Sequence, residues 1–209
     1  MRKIIRENHG TMKPGQDLVI AGYIGQAGAR IITCAREEEL RQWFSKDYIE
    51  QIKTNRNVEA LTGNLEQWRE FGATECEPIG EGGVYTALWN LSGAYKVGIE
   101  FQLLQIPIKQ ETVEVCERYD INPYRLYSEN CVLLVADNGG HLVRALEEKG
   151  IPAVVIGRVN TGIKREILHG RPGTVSTDEA EEEGRGYLDR PARDELYKVV
   201  PDYFNIKNN

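Results

Sequence analysis

The chain has 209 residues, 41% of them hydrophobic and 28% charged, with a net charge of −6 at pH 7. That length suits one domain or one and a half and is enough to bury a real core, and the composition is that of a soluble globular protein. The acidic balance argues against non-specific binding to nucleic acid or to an anionic membrane, since both reward a basic patch and Lys164-Arg165 is too short a run to supply one.

Residues 17–23 (DLVIAGY) read as a buried strand. A helix follows with Ala27, Ile31, Ile32 and Ala35 on one face, and the segment REEELRQWF continues it with a charged outer side. Ser45 is placed to cap a second helix running through Tyr48, Ile49 and Ile52. A third helix is expected from Asn64 to Phe71, stopped by Gly72. Residues 74–79 (TECEPI) form a short strand, and a helix with Val84, Ala87, Leu88 and Leu91 on one face starts just after Gly82-Gly83. VGIEFQLLQIP is a strand halted at Pro107, IKQETVEVCERYD a helix and INPYRLYSEN a turn. CVLLVAD is a strand, NGGHLVRALEEKGI a helix and PAVVIGRV a strand. Strands alternating with helices define an α/β or α+β chain.

Beyond Gly162 the sequence turns polar. TDEAEEEGRG reads as a solvated acidic loop, GIKREILHG as a short hairpin arm, and RDELYKVV as a last strand or a packed segment. No apolar stretch approaches the roughly 18 residues a membrane span needs, and MRKIIRENHG lacks an apolar signal region, so a cytoplasmic protein without a membrane partner is expected. The four cysteines, Cys34, Cys76, Cys116 and Cys131, form no C-x-x-C pair, and three histidines are too few to complete an evident zinc site. Reduced, mostly buried thiols and no bound metal are expected. The sequon Asn90-Leu91-Ser92 falls inside a helix and reads as chance.

Two glycine turns carry the chemistry. Gly22, Gly25 and Gly28 are spaced G-x-x-G-x-x-G between a strand and a helix. A helix beginning there exposes backbone N–H groups with partial positive charge, and the missing side chains let an anion come close. The alternative is a tight corner in which the glycines serve packing. The spacing matches neither the dinucleotide G-x-G-x-x-G nor a Walker A loop. In PIGEGGVYTALW the logic repeats at Gly80, Gly82 and Gly83, and the two turns could face each other across a cleft. Glu81 either orients a ligand or complements the helix dipole. Ser128-Glu129-Asn130 lies between helix and strand, where a tight turn belongs.

Taken together, GEGGVYTALWNLSGAYKVGIE, IPIKQETVEVCERYDINPYRLYSENCVLLVAD and ALEEKGIPAVVIGRV resemble the C-terminal domain of the aminoimidazole ribonucleotide synthetase superfamily, in particular hydrogenase-maturation-factor-like proteins. MKPGQDLVIAGYIGQAGARII looks like the start of that domain, and YLDRPARDELYKV is a weaker continuation. The resemblance covers roughly residues 11–160, leaving an N-terminal arm (1–10) and a C-terminal extension (161–209). It implies a mostly antiparallel sheet with helices packed over it. It also implies that ATP and Mg²⁺ sit largely on a separate N-terminal domain with acidic ligands, while the C-terminal domain brings glycine turns to the phosphates and substrate. Carried over by position, those turns are Gly22, Gly25 and Gly28, then Gly82 and Gly83. With Gln26, Glu81, Ser128 and Glu129 they make the candidate phosphate-binding set.

The departures are as informative. The family's second turn usually reads Asp-x-Thr-x-Gly-Gly; here Pro78 holds the Asp position and Gly80 the Thr position, with Glu77 one residue off. Nothing resembles the family's metal-binding aspartates, the nucleotide-binding half falls outside these residues, and the ending FNIKNN lacks the dehydratase's terminal cysteine. Phosphoryl transfer relies on positioning and metal-borne charge neutralisation. The expected protein is therefore non-catalytic alone and needs no cofactor by itself. It would bind a phosphate-bearing ligand, or a partner that supplies the ATP-binding half and with it ATP and Mg²⁺. One alternative is an ATP-dependent enzyme completed by self-association, gathering Glu77, Glu81, Glu129 and Asp137. Another is an interaction module with a patch lined by Tyr23, Trp43, Phe44, Trp68, Tyr85 and Trp89.

Overall fold

The computed structural model describes residues 10–54, 61, 64–169 and 185–203. The chain begins with β1 (Asp17–Ala21), α1 (Gln26–Ala35), α2 (Glu37–Leu40), α3 (Lys46–Thr54) and α4 (Leu65–Arg69). β2 (Ala73–Ile79), α5 (Gly83–Tyr95), β3 (Gly98–Gln102) and α6 (Gln110–Arg118) follow. Then come β4 (Cys131–Ala136), α7 (Gly139–Glu147), β5 (Ala153–Asn160), β6 (Arg165–Leu168), β7 (Arg185–Tyr187) and α8 (Leu196–Val199). The strands form one seven-stranded sheet in the order β2-β4-β1-β5-β3-β6-β7. Every pairing is antiparallel except β3 with β6. The mostly antiparallel sheet with helices packed on it is the fold expected.

β4 is buried along its whole length, so it reads as the continuous apolar run CVLLVA. Its alternate residues supply two cores. Cys131, Leu133 and Val135 join Leu18 and Ile20 of β1 under α5, whose Val84, Ala87, Leu88 and Leu91 are buried there. Val132, Leu134 and Ala136 join Val19 and Ala21 on the other face, against Trp68 of α4 and Leu142 and Leu146 of α7. A third cluster is helical: Ala27 and Ile32 of α1 pack with Ile52 of α3, Val115 and Cys116 of α6, and Leu196 and Val199 of α8. It forms because α1 leaves the sheet at the first glycine turn instead of lying on a sheet face.

Local signals work as expected at several ends. Ser45 Oγ accepts the Tyr48 N–H at 3.2 Å, and Asn64 with Gln67 makes a full capping box on α4. Elsewhere the structure departs from the sequence reading. The helix after β1 breaks at Arg36, whose φ of −124° is not helical, so REEEL is a separate short helix. The buried face of α1 is Ala27, Gly28, Ala29, Ile32 and Thr33, while Ala35 is exposed, because the small residues let neighbouring chain come close. β3 stops at Gln102, and a 3₁₀ turn (Leu103–Gln105) precedes Pro107. REIL of the supposed hairpin arm is β6, inserted between β3 and β7. RDELYKVV, read as a last strand or a packed segment, is the packed segment: it is helical at its centre and buries Leu196 and Val199.

The acidic run 177–184 and the arm residues 1–9 lie outside the described residues. All four cysteines are free, and Cys34 is exposed where the other three are buried. Trp68 and Tyr85 are buried in different clusters, Trp43 is 63% exposed with Arg118 over its ring, and the six aromatics considered for a patch do not share one surface. No helix among the described residues is long and apolar enough to cross a membrane.

Candidate functional site: two glycine turns joined by one segment

β1 ends at Ala21, and the chain swings away through Gly22 at φ 91°. A side chain there would meet the Asn130 carbonyl oxygen at 2.5 Å. Gly25, at φ 70°, stands at the N-cap of α1 and has no side chain to cap with. Ser128 takes part of that task from a distant segment: its Oγ accepts the Gly25 N–H at 2.7 Å and donates its own hydrogen to the Leu126 carbonyl at 2.7 Å. Gly28 N–H donates to the Tyr127 carbonyl at 3.0 Å, and Leu126 fills the space a side chain on Gly28 would need. Asn130 Nδ2 donates to the Tyr23 carbonyl at 2.8 Å and, at 3.4 Å, to Gln26 Oε1. Gly22, Gly25, Gln26, Gly28 and Ser128 are therefore neighbours, and all five are buried.

The second turn is tied to the same segment. The Gly80 carbonyl at the end of β2 accepts the Ser128 N–H at 3.3 Å. Gly82 (φ 81°) and Gly83 (φ 63°) open α5, and a side chain on Gly83 would strike the Tyr124 carbonyl oxygen at 2.5 Å. Residues 122–131 thus run between the two helix N-termini, so protein occupies the space where the sequence suggested a cleft.

A residue that the sequence reading passed over stands at the second turn. Asp194, only 3% exposed, accepts the Gly82 N–H on Oδ2 at 2.5 Å and the Leu196 N–H on Oδ1 at 2.7 Å, and the Tyr127 N–H also bonds to its carboxylate. Burial pushes its pKa up to about 6, the three backbone N–H groups pull the other way, and the charge of Glu81 adds to the rise. Glu81 itself is exposed and accepts the Tyr197 hydroxyl at 3.0 Å. Arg193 lies 3.4 Å over the Tyr197 ring. A cavity of about 560 Å³ opens beside this helix end, walled by Glu81, Gly82, Thr86, Trp89, Arg190 and Arg193, with Asp194 at its edge.

Of the remaining candidates, Glu129 is half-buried and accepts the Tyr127 hydroxyl at 2.5 Å. Glu77 sits on β2 opposite Leu133 of β4. Asp137 follows the far end of β4 and binds Gln16 Nε2 at 3.0 Å and Lys13 at 3.4 Å. Within one chain these carboxylates do not converge, and among the described residues no group of three His, Cys, Asp or Glu is arranged to hold a metal ion. The signal that could have revealed Asp194 was its place in RPARDELYKV. An acid there stands two residues ahead of the apolar Leu196. Leu126 and Tyr127, apolar residues inside what read as a polar turn, were the sign that the segment is buried.

This arrangement of sheet, two glycine-opened helices and a bridging segment belongs to a known class of domain. The family profile described as AIR synthase related protein, C-terminal domain, matches residues 14–168, and the chain belongs to that family. Among solved structures, the chain is similar to HypE of E. coli, a hydrogenase maturation protein, at 21% identity over 94% of this chain and 56% of that one, with a TM-score of 0.64. It is similar to the HypE–HypF complex at 23% identity over 87% and 54%, with a TM-score of 0.60. It is also similar to HypE in complex with ATP at 14% identity over 88% and 53%, with a TM-score of 0.58. The chain spans about half the length of these structures, and at such identities the likeness is one of fold. No curated protein matches the sequence.

Proposed function

We propose that this AIR synthase-like domain recognises a phosphate-bearing ligand at its second glycine turn and works with a partner that supplies an ATP-binding half, being non-catalytic by itself. One observation supports the reading: the Gly82 N–H at the amino end of α5 already holds an anion, the Asp194 carboxylate, which the Leu196 and Tyr127 N–H groups also contact. Amides that donate to a carboxylate in this way are chemically suited to a phosphate oxygen. Arg190 and Arg193 on the cavity wall add positive charge at the approach. HypE, the fold relative, has been solved with ATP and with HypF, which supports looking for nucleotide and partner alike.

The division of labour follows from chemistry. Phosphoryl transfer is mostly positioning and charge neutralisation by metal ions. Backbone amides supply positioning, and carboxylates that hold Mg²⁺ must supply the rest. On this reading Gly82 and Gly83, with Glu81 beside them, orient the phosphate. The first turn, with Gly22, Gly25, Gln26 and Gly28, is held to it through Ser128. Calorimetry with ATP, ADP and phosphorylated metabolites, with and without Mg²⁺, tests the proposal. Binding without ATP hydrolysis is the expected result. No heat with any of them removes the ligand reading, and steady hydrolysis by the purified chain removes the non-catalytic one.

A further inference from the structure

The second glycine turn is occupied from within, and its occupant comes from a segment beyond the family-matched residues 14–168. Residues 188–200 reach the turn from the far edge of the sheet. The Leu188 N–H donates to the Arg165 carbonyl at 2.8 Å, and the Glu195 N–H to the Arg125 carbonyl at 3.2 Å. Leu196 and Val199 are buried in the helical cluster. At the end of the segment, Arg36 Nη2 donates to the Val199 carbonyl at 2.8 Å.

We propose that residues 188–200 are a built-in latch: the Asp194 carboxylate competes with phosphate for the amino end of α5, and ligand binding requires it to leave. The inference rests on the phosphate reading above and adds its regulation. Three features support it. Asp194 makes the contact a ligand oxygen would make, charge on Gly82 N–H at a helix end. The cavity touches both Gly82 and Asp194, so an incoming anion reaches the same amide without opening the sheet. Arg190 and Arg193 flank that cavity, are exposed, and form no ion pair with a carboxylate among the described residues. Arg193 lies over the Tyr197 ring, and two cations that no carboxylate neutralises, beside a carboxylate-filled anion position, favour an exchange in which phosphate enters as Asp194 swings out. The segment is held by the buried side chains of Leu188, Leu196 and Val199, the two backbone hydrogen bonds above and the Arg36 tether, and only its Asp194–Leu196 part has to shift to free the Gly82 amide, a local event.

The test titrates inorganic phosphate into the full chain while following the Gly82 amide by NMR. It compares the wild type with Asp194→Asn, which keeps the shape and removes the charge. A second variant, Arg36→Ala, loosens the segment without touching the turn. Phosphate should bind about tenfold more tightly to Asp194→Asn and about threefold more tightly to Arg36→Ala, because each removes part of the cost of displacing the latch. In the wild type, saturating phosphate should speed hydrogen exchange at Leu196–Val199. Equal affinity in all three proteins overturns the latch and leaves the phosphate reading standing. Weaker binding in both variants also overturns it, since the segment would then be building the site. No shift at Gly82 in any protein removes the latch and the phosphate reading together.

Discussion

Gly28 separates packing from ligand approach as the reason for a glycine. It lies inside α1 without a positive φ, so backbone strain plays no part. A Cβ added there would sit 2.5 Å from Leu126 Cγ, 2.7 Å from Cδ1 and 3.0 Å from Cδ2, and Leu126 is 0% exposed. Replacing Gly by Ala in a helix gains about 1 kcal/mol of propensity. Forcing a methyl into a filled core costs about 1–3 kcal/mol. The balance for Gly28→Ala is a loss of about 1 kcal/mol. Leu126→Ala alone leaves a cavity and costs about 3 kcal/mol. In the double variant the new methyl enters the vacated space, the clash disappears and the propensity gain remains. The pair should therefore be about 2 kcal/mol more stable than the sum of the singles, well beyond the ~0.5 kcal/mol scatter of independent sites. Urea unfolding followed by tryptophan fluorescence measures all three. If the effects simply add, or if Gly28→Ala is stabilising, Leu126 is not what requires the glycine.

Other expectations follow from the same geometry. Asp194 has its carboxyl raised by burial to about 6 from 3.8, so folding favours its protonated form. The associated stability is fully present below about pH 4 and is lost as pH rises through 6. Two pKa units correspond to roughly 3 kcal/mol, so the stability of the wild type relative to Asp194→Asn should fall by that order between pH 4 and pH 7. Parallel pH curves would contradict it. Gly83→Ala combines φ 63° with a carbonyl oxygen 2.5 Å away, whereas Gly15→Ala meets φ 93° in open space. Thermal unfolding should show a loss of about 1–2 kcal/mol at Gly15, from strain alone, and clearly more at Gly83. Cys34 should react with a maleimide in the native protein while Cys76, Cys116 and Cys131 do not. Burial raises the Cys116 thiol to about 12 and pushes Cys131 up further, so those two stay protonated as well as covered. Labelling of more than one thiol before unfolding would be the contrary result.

The elements were legible wherever their cause is local. CVLLVA is a strand buried on both faces and shows it in six neighbouring residues; Ser45 and Asn64 announce the helices they cap; Gly82-Gly83 marks the start of α5. What was hidden depends on contacts across the chain. Asp194 meets Gly82 over 112 residues of sequence, and no periodicity records such a meeting. The break at Arg36 rests on one residue's non-helical backbone, φ −124°, while the charged pattern runs on through REEEL without interruption. INPYRLYSEN carries turn residues and is indeed irregular. That it is also the buried bridge between two helix ends is visible only in three dimensions, through Leu126, Tyr127 and Ser128.

These contacts also divide the two glycine turns, which look alike in sequence. In the first, the space beside Gly22, Gly25 and Gly28 is taken by Asn130, Thr112 and Leu126, and the Gly25 N–H is spent on Ser128. Each glycine there has a packing reason that needs no ligand. In the second, the space beside Gly83 is filled in the same way, but the Gly82 N–H goes to a charged group beside an open cavity. A neutral hydroxyl would have satisfied that amide, as Ser128 satisfies Gly25, without the cost of burying a carboxylate. A charge kept in so costly a place, next to exposed arginines, is the feature that makes the second turn the one to probe with phosphate.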